Sequence, residues 1–412
     1  MKLLVFEHAS GGGFADAPLP QGVLTEGVAM LRAVIADFKA AGHEVTTLLD
    51  SRVATFSPPL ESDFVVSVSS QQETKEALRR LSESADAACV IAPETDKALQ
   101  LHVASLEQTG VTLLNCSSRA IEEAGDKAVL HEHLRRLGVL MPETMVLSVQ
   151  DGVTEIKRAV DNLGFPAVFK PLDGVSCLGL SVVRSEAEVG GAVSKLKRES
   201  TSKHFLVQKL VNGVTASVCL ISTGDEALPV SLNRQDVTLG ASNAVSSYDG
   251  GLVPLDSPLK CDAFAVAKKV VESFRELRGF VGVDLVLTDE EPVVVEVNPR
   301  LTMSYVGLRN VTNFNLAHAI VNAVLLRQLP ADMQTCGYAY FSKVTVPCTK
   351  ADAFREACRM SQVVSPPFPF RGDDSACAIL LCRGSTVKEA LARFSEAKKQ
   401  FFTTINGGRQ RW

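Results

Sequence analysis

The chain has ten cysteines but no CxxC pair among them. Scattered thiols of that kind argue against a zinc ribbon or a disulfide frame and suit free cysteines in a reducing compartment, so a cytoplasmic setting is expected. No stretch approaches the roughly 20 apolar residues of a membrane span. The opening MKLLVFEHASGGG holds an apolar run too short for a signal peptide and reads as a first strand ending in a glycine turn. Positive charge is not in excess: the formal net charge is -5, which gives no electrostatic case for nucleic acid or anionic membrane as a partner. Internal repeats, a full GxGxxG fingerprint and a GxxxxGK[ST] loop are also missing. What remains is an ordinary globular composition, 46% apolar and 22% charged, in 412 residues that suffice for two or three domains.

Residues 1 to 117 alternate short apolar runs with helical periodicity. KLLVFEH, HEVTTLLD, DFVVSV, ACVIAP and VTLLN read as strands, and roughly Val23 to Ala41 reads as a helix closed by Gly42. That rhythm predicts a doubly wound parallel sheet. The loops after its strands, Gly11 to Gly13 and Pro93 to Asp96, stand where such sheets place ligands, although a plain turn is the simpler reading of each. A helix is expected from Ser118 through Asp126 and Lys127 to Gly138. His131 and His133 lie two apart on it and cannot share a metal. The last 80 or so residues, 331 to 412, read as a separate small αβ unit with a structural or interface role.

The stretch VGVDLVLTDEEPVVVEVNPRL, from Val281 to Leu301, has the period of two expected of a hairpin. With Thr288 paired to Pro292, Asp284 falls opposite Glu296, and Asn298 lies two residues along on the same face. Facing carboxylates about 5 Å apart repel unless a cation lies between them. A hard divalent ion, Mg²⁺ or Mn²⁺, bound by Asp284, Glu296 and Asn298 is the economical expectation, because Mg²⁺ commonly takes one or two carboxylates and completes its shell with phosphate and water.

Upstream, PAVFKPLDGVSCLGL places Lys170 before a loop with Gly174, Ser176 and Gly179. Glycines let backbone N–H groups approach phosphate oxygens, and a lysine adds a point charge. Cys177, inside that loop, reads as a small apolar filler. HFLVQKLV is a further strand, ending at Gln208, Lys209 and Val211.

In this order and spacing, Lys127, Lys170 with its glycine loop, Gln208 to Val211 and the set Asp284, Glu296, Asn298 resemble the ATP-grasp superfamily over residues 118 to 330. The resemblance implies an N-terminal αβ domain at 1–117, an ATP-grasp domain at 118–330 with its lid at about 145–210, and a small C-terminal αβ domain at 331–412. It implies that Lys127, Lys170 and the loop hold ATP phosphates, and that backbone near Lys209 and Val211 holds the adenine, with Gln208 at its amino group. One or two metal ions would bridge the phosphates, and Arg300, with Lys170, would act on the transferred phosphoryl group. Val214, Thr215 and Ala216 stand where relatives often carry the acidic residue that contacts ribose. Within the superfamily, FEHASGG, LNRQDV, YDGG and NPRLTMSYVGL are similar to the tyramine–glutamate ligases of methanofuran-type cofactor synthesis. That likeness implies an ADP-forming ligase that activates a small carboxylate as an acyl phosphate and joins it to an amine. An ATP-grasp kinase, a carboxylating enzyme or a nucleotide-binding protein without turnover stay open as alternatives, as does a homo-oligomer.

Overall fold

The computed structural model of the protein describes residues 1–172, 177, 179–347, 351–370 and 372–405. The first part is a five-stranded parallel sheet of β1 (Lys2–Glu7), β2 (Glu44–Asp50), β3 (Phe64–Val68), β4 (Ala87–Ile91) and β5 (Thr112–Leu113), in the order β3-β2-β1-β4-β5. Alternation along β1 shows why it is wound on both faces. Leu3 and Val5 pack with Leu24, Val28 and Leu31 of the helix Gln21–Ala40. Leu4 and Phe6 pack on the opposite side with Ala77, Leu78, Leu99 and Val103.

The glycine loop after β1 proves to be a packed turn. Gly12 takes φ +101°, and a side chain on Gly11 would come within 2.5 Å of the Glu7 carbonyl. Buried Glu7 accepts from the Ser10 N–H at 2.7 Å, the Ser10 hydroxyl at 2.6 Å and the Ala9 N–H at 3.0 Å. Burial, only partly offset by those donors, pushes its pKa up to about 7.

A second sheet of β6 (Thr144–Ser148), β7 (Ala167–Pro171), β8 (Ser181–Val183) and β9 (His204–Lys209) is antiparallel, in the order β6-β9-β7-β8. It has its own core around Ile156, Val160, Phe169, Phe205 and Leu196. Buried Lys195 ties it to the body: its ammonium donates to the Leu180 carbonyl at 3.0 Å and to the Ala244 carbonyl at 2.7 Å.

The third sheet comprises β10 (Val214–Thr223), β11 (Ala227–Thr238), β12 (Ser247–Val253), β13 (Arg278–Leu287), β14 (Pro292–Asn298), β15 (Tyr338–Pro347), β16 (Val363–Ser365) and β17 (Ser375–Gly384). Its order is β14-β13-β10-β11-β12-β15-β17-β16. The C-terminal residues therefore do not build a sheet of their own, because β15 pairs with β12 from Gly250↔Ser342 to Val253↔Ala339. Phe341, Phe354, Phe368 and Leu381 share a core with the N-terminal helix. A boundary near residue 330 marks chain connectivity, while the packing runs across it. Among the described residues, no helix is long and apolar enough to cross a membrane.

Candidate active site

The β13–β14 hairpin forms, with one correction to its register. Leu287, not Thr288, faces Pro292, and the one-residue offset is removed by a bulge between Asp284 and Leu285. Asp284 then faces Glu296, and Gly282 faces Asn298. The extra residue is Val295, and its insertion lets both Val294 and Val297 reach the core with Val283, Leu285 and Leu287. A simple alternation along β14 would have sent Val294 to the carboxylate face, so the bulge both buries a valine and aims Glu296.

The helix expected to run unbroken from Ser118 is two helices, Ser118–Gly125 and Lys127–Arg136. Asp126 separates them with φ -78° and ψ 108°, and its carboxylate accepts from the N–H groups of Ala128 and Val129 at 2.9 and 3.1 Å. This N-cap starts the second helix one residue later and sends Lys127 inward. Asp126→Ala is expected to lower stability by about 1 kcal/mol and to weaken nucleotide binding through Lys127. Thermal melts and an ATP titration of the variant check both effects.

These elements converge on one cavity. It is lined by Lys127, Lys170, Asp284, Glu296, Asn298 and Arg300, with Gln235 and Tyr248 from β11 and β12. The Lys127 ammonium lies 2.9 Å from Glu296 Oε1 with Lys127 only 5% exposed. Lys170, at the end of β7, is 6% exposed. Burial lowers its pKa to about 8, with Glu296 opposing the shift and Lys127 adding to it. Burial would raise Glu296, but Lys127, Lys170 and Arg300 outweigh it and hold the carboxylate below its ordinary value. Asp284 goes the other way. Burial and the neighbouring Glu296 push it up to about 7, against hydrogen bonds from Asn298 Nδ2 at 3.1 Å and Gln235 Nε2 at 3.0 Å.

The cation expected between the carboxylates is thus supplied in part by the protein, as Lys127 on Glu296. Among the described residues no ammonium pairs with Asp284, and two carboxylates with an amide oxygen make a hard oxygen donor set. Among the described residues, no group of three or more His, Cys, Asp or Glu side chains could hold a metal. A site of this composition fits Mg²⁺ completing its shell with phosphate oxygens, and does not fit an all-protein cage.

Arg300 follows Asn298 through a tight turn, its N–H donating to the Asn298 carbonyl at 2.8 Å. Its Nε donates to both oxygens of buried Glu94, at 2.9 and 3.0 Å, and its Nη1 to the Leu301 carbonyl at 3.1 Å. Burial alone would lower the guanidinium pKa, and Glu94 overrides it to give a raised value. The loop that delivers Glu94 turns through two left-handed residues, Asp96 at φ 52° and Lys97 at φ 56°. Such positions cost roughly 1–2 kcal/mol each and tend to persist at functional sites. The Pro93–Asp96 segment is therefore more than the plain turn it resembles in the sequence.

Of the other expected site residues, Gly179, Gln208, Lys209 and Val211 do not line this cavity. Gly174 and Ser176 fall outside the described residues. Gly179 takes φ +73°, and its N–H donates to the Glu199 carboxylate at 3.3 Å. Buried Gln208 donates to the Thr144 hydroxyl at 2.9 Å, and the Lys209 N–H to the Glu143 carbonyl at 2.9 Å, so both are engaged within the lid sheet. Val211 lies just past β9 and, like Gln208 and Lys209, does not line this cavity. Cys177 does line it, and burial pushes its thiol up to about 12, consistent with an inert filler. His133 packs on Phe274 with ring centroids 4.2 Å apart, which accords with a packing role. Sequence reasoning missed Gln235 and Tyr248 as individual residues, although LNRQDV and YDGG carried the resemblance. It also missed Glu26, one polar residue on an amphipathic helix with no local signal.

A lid sheet folded over a larger antiparallel sheet, with Lys170 from the lid sheet and Lys127 from the helix packed on the larger sheet meeting two carboxylates of the hairpin, defines an ATP-grasp site. Residues 124–304 match the ATP-grasp domain family, and residues 43–121 match the pre ATP-grasp domain. The chain belongs to the ATP-grasp superfamily, whose members use ATP. Within it, the chain is similar to tyramine–L-glutamate ligase of Methanocaldococcus fervens, 29% identical over 321 residues that cover 77% of this chain and 92% of that protein. The fold matches an ATP-grasp superfamily protein from Archaeoglobus fulgidus with TM-score 0.63 and 22% identity, covering 92% of this chain and 99% of that one. It also matches L-amino acid ligase from Bacillus licheniformis with TM-score 0.68 and 14% identity, covering 97% of each chain.

Proposed function

We propose that the protein is an ADP-forming ligase that joins the carboxylate of a small acid, glutamate in the first instance, to a tyramine-like amine. The observation that carries this reading is the meeting of Lys127 and Lys170 with Glu296 and Asp284 in one cavity beside Arg300. The class of reaction also accords with the likeness to tyramine–L-glutamate ligase.

Carboxylate oxygen is a poor leaving group. In this reading an oxygen of the acid attacks the γ-phosphorus of ATP, the bond to the β-γ bridging oxygen breaks, and ADP leaves. The amine then attacks the acyl carbon, and phosphate departs with the oxygen that came from the acid. Positioning and charge neutralisation supply most phosphoryl-transfer catalysis, so no nucleophilic side chain is required. Lys127 and Lys170 hold the phosphates, and Arg300, locked by Glu94, faces the phosphoryl group in transit. Asp284, Glu296 and Asn298 would hold Mg²⁺, which supplies further neutralisation of phosphate charge when bound.

The test is a product screen by mass spectrometry with ATP, glutamate and a panel of amines that includes tyramine and tyrosine. The reading expects an amine heavier by one glutamyl unit, with one ADP per product. ADP formed at the same rate without any amine, or a stable phosphorylated acid, would favour a kinase instead.

A further inference from the structure

A second cavity, of about 340 Å³, backs directly onto the first. The two share a wall at three places, where one residue lines one cavity and its chain neighbour or ion-pair partner lines the other. Lys127 lines the first and Asp126 the second, Pro171 the first and Leu172 the second, and Arg300 the first while its partner Glu94 lines the second. Their charges differ in sign. Lys127, Lys170 and Arg300 all line the first cavity, which suits phosphate and carboxylate. The second has Glu94, Glu122, Glu123 and Asp126 against one ammonium, that of Lys97.

Each of these carboxylates already has a partner that fixes it in place. Arg300 holds Glu94, Lys97 lies 3.0 Å from Glu122, Arg119 lies 2.9 Å from Glu123, and Asp126 caps its helix. Together they act as a field and not as a single ion pair: an anion is turned away, and a cation is concentrated. A metal ion is a poor occupant, because among the described residues no group of three or more His, Cys, Asp or Glu side chains could hold one. Ile121, Val129 and Leu172 add an apolar wall, and Val129 is 48% exposed. A volume within the range of small-molecule sites, an apolar wall and an excess of carboxylates fit an organic ammonium ion with an apolar body.

We infer that this second cavity binds the amine reactant, which enters as an ammonium ion on the far side of the Glu94–Arg300 pair from the nucleotide. Naming that cation as the amine reactant rests on the ligase reading above; the cavity's preference for an apolar ammonium ion does not. The arrangement leaves the first cavity to the phosphates and the acid. Because every carboxylate is already engaged, the amine is drawn in without being clamped as an ammonium, and its nitrogen is left able to shed its proton before it attacks the acyl carbon.

Titration calorimetry with ADP and magnesium present tests the site without turnover. Tyramine, 2-phenylethylamine and hexylamine are each compared with the alcohol that carries a hydroxyl in place of the amino group. At least one amine should bind the wild type about tenfold more tightly than its alcohol. The double variant Glu122→Gln/Glu123→Gln, at side chains 51% and 41% exposed, should cut that preference about fivefold. Val129→Trp, which fills the cavity from an exposed helix position, should abolish binding of amine and alcohol alike, and ADP affinity should be unchanged in both variants. The carboxylate variant leaves the helix packing intact and decides alone if Val129→Trp disturbs ADP binding. Equal binding within every pair in the wild type, or an amine preference that the carboxylate variant leaves whole, would overturn the inference. Amide formation in the product screen with an amine KM unmoved by both variants would overturn it too and leave the ligase reading intact. Amine binding that both variants weaken, in a protein that makes no amide, would sink the ligase reading and leave the cation site standing.

Discussion

Asp284→Asn should abolish ADP formation, by more than about a hundredfold, in a protein at least as stable as the parent at pH 7. Glu296→Gln should abolish it as well, but in a protein less stable by about 3 kcal/mol. The two carboxylates face each other across one hairpin, yet their surroundings differ in sign. Glu296 sits 2.9 Å from Lys127 and near Lys170, and removing its charge takes away the carboxylate that pairs with Lys127 and that most favours the charged form of Lys170. The expected cost lies at the lower end of the range for a broken buried pair, because the Glu296 side chain is 23% exposed. Burial and Glu296 both oppose ionisation of Asp284, so asparagine removes that penalty in the nucleotide-free protein.

A pH series separates the two. In the folded protein the Asp284 carboxyl keeps its proton up to about pH 7, whereas in the unfolded chain it loses it near the ordinary value of 3.8. The folded state therefore binds more protons across that window, and this group's contribution to stability is lost as pH rises through it. Asp284→Asn lacks that loss, so the stability gap in its favour should widen from about pH 4 and level off above about pH 7. Denaturant titrations of metal-free protein across this range measure it. A gap that shrinks with rising pH would mean that Asp284 is stabilised as an anion.

Arg300→Lys should lower kcat by about a hundredfold while the KM for ATP moves little. Lysine keeps the charge but cannot reproduce the fork with which Arg300 Nε reaches both oxygens of Glu94 while Nη1 holds the Leu301 carbonyl. Without those bonds the cation is no longer fixed against the phosphoryl group in transit. Arg300→Ala is the less informative variant, because it also leaves buried Glu94 without its partner. A variant with normal kcat and a raised KM for ATP would move Arg300 from the reacting group to ground-state nucleotide binding.

Much of this was legible in the chain because it depends on local periodicity. Valines and leucines at alternate positions announced the hairpin, and the pairing of Asp284 with Glu296 was reached from a turn register one residue off, an offset that the bulge cancels. The bulge at Val295 was not legible, since it arises where burying Val294 and Val297 together outweighs a regular ladder. Asp126 looked like one more helical residue, and only its dihedral angles reveal a cap. Glu26 carries no local signal, and Glu94 none beyond its place in a loop that follows a strand of a parallel sheet. Each acquires its meaning from a partner far away in sequence, Arg300 for one and Lys343 for the other, which only the assembled fold supplies. The expected adenine contacts at Gln208 and Lys209 rested on resemblance alone, and the side-chain amide of the first and the N–H of the second serve the lid sheet.

The central claim, that the acid is activated by phosphorylation before an amine displaces the phosphate, is tested most directly with carboxyl-¹⁸O-labelled substrate. The protein is incubated with ATP, the labelled amino acid and the amine, and the released phosphate is analysed by mass spectrometry. One labelled oxygen in each phosphate released is the expected result. Amide product accompanied by phosphate free of label would contradict the account.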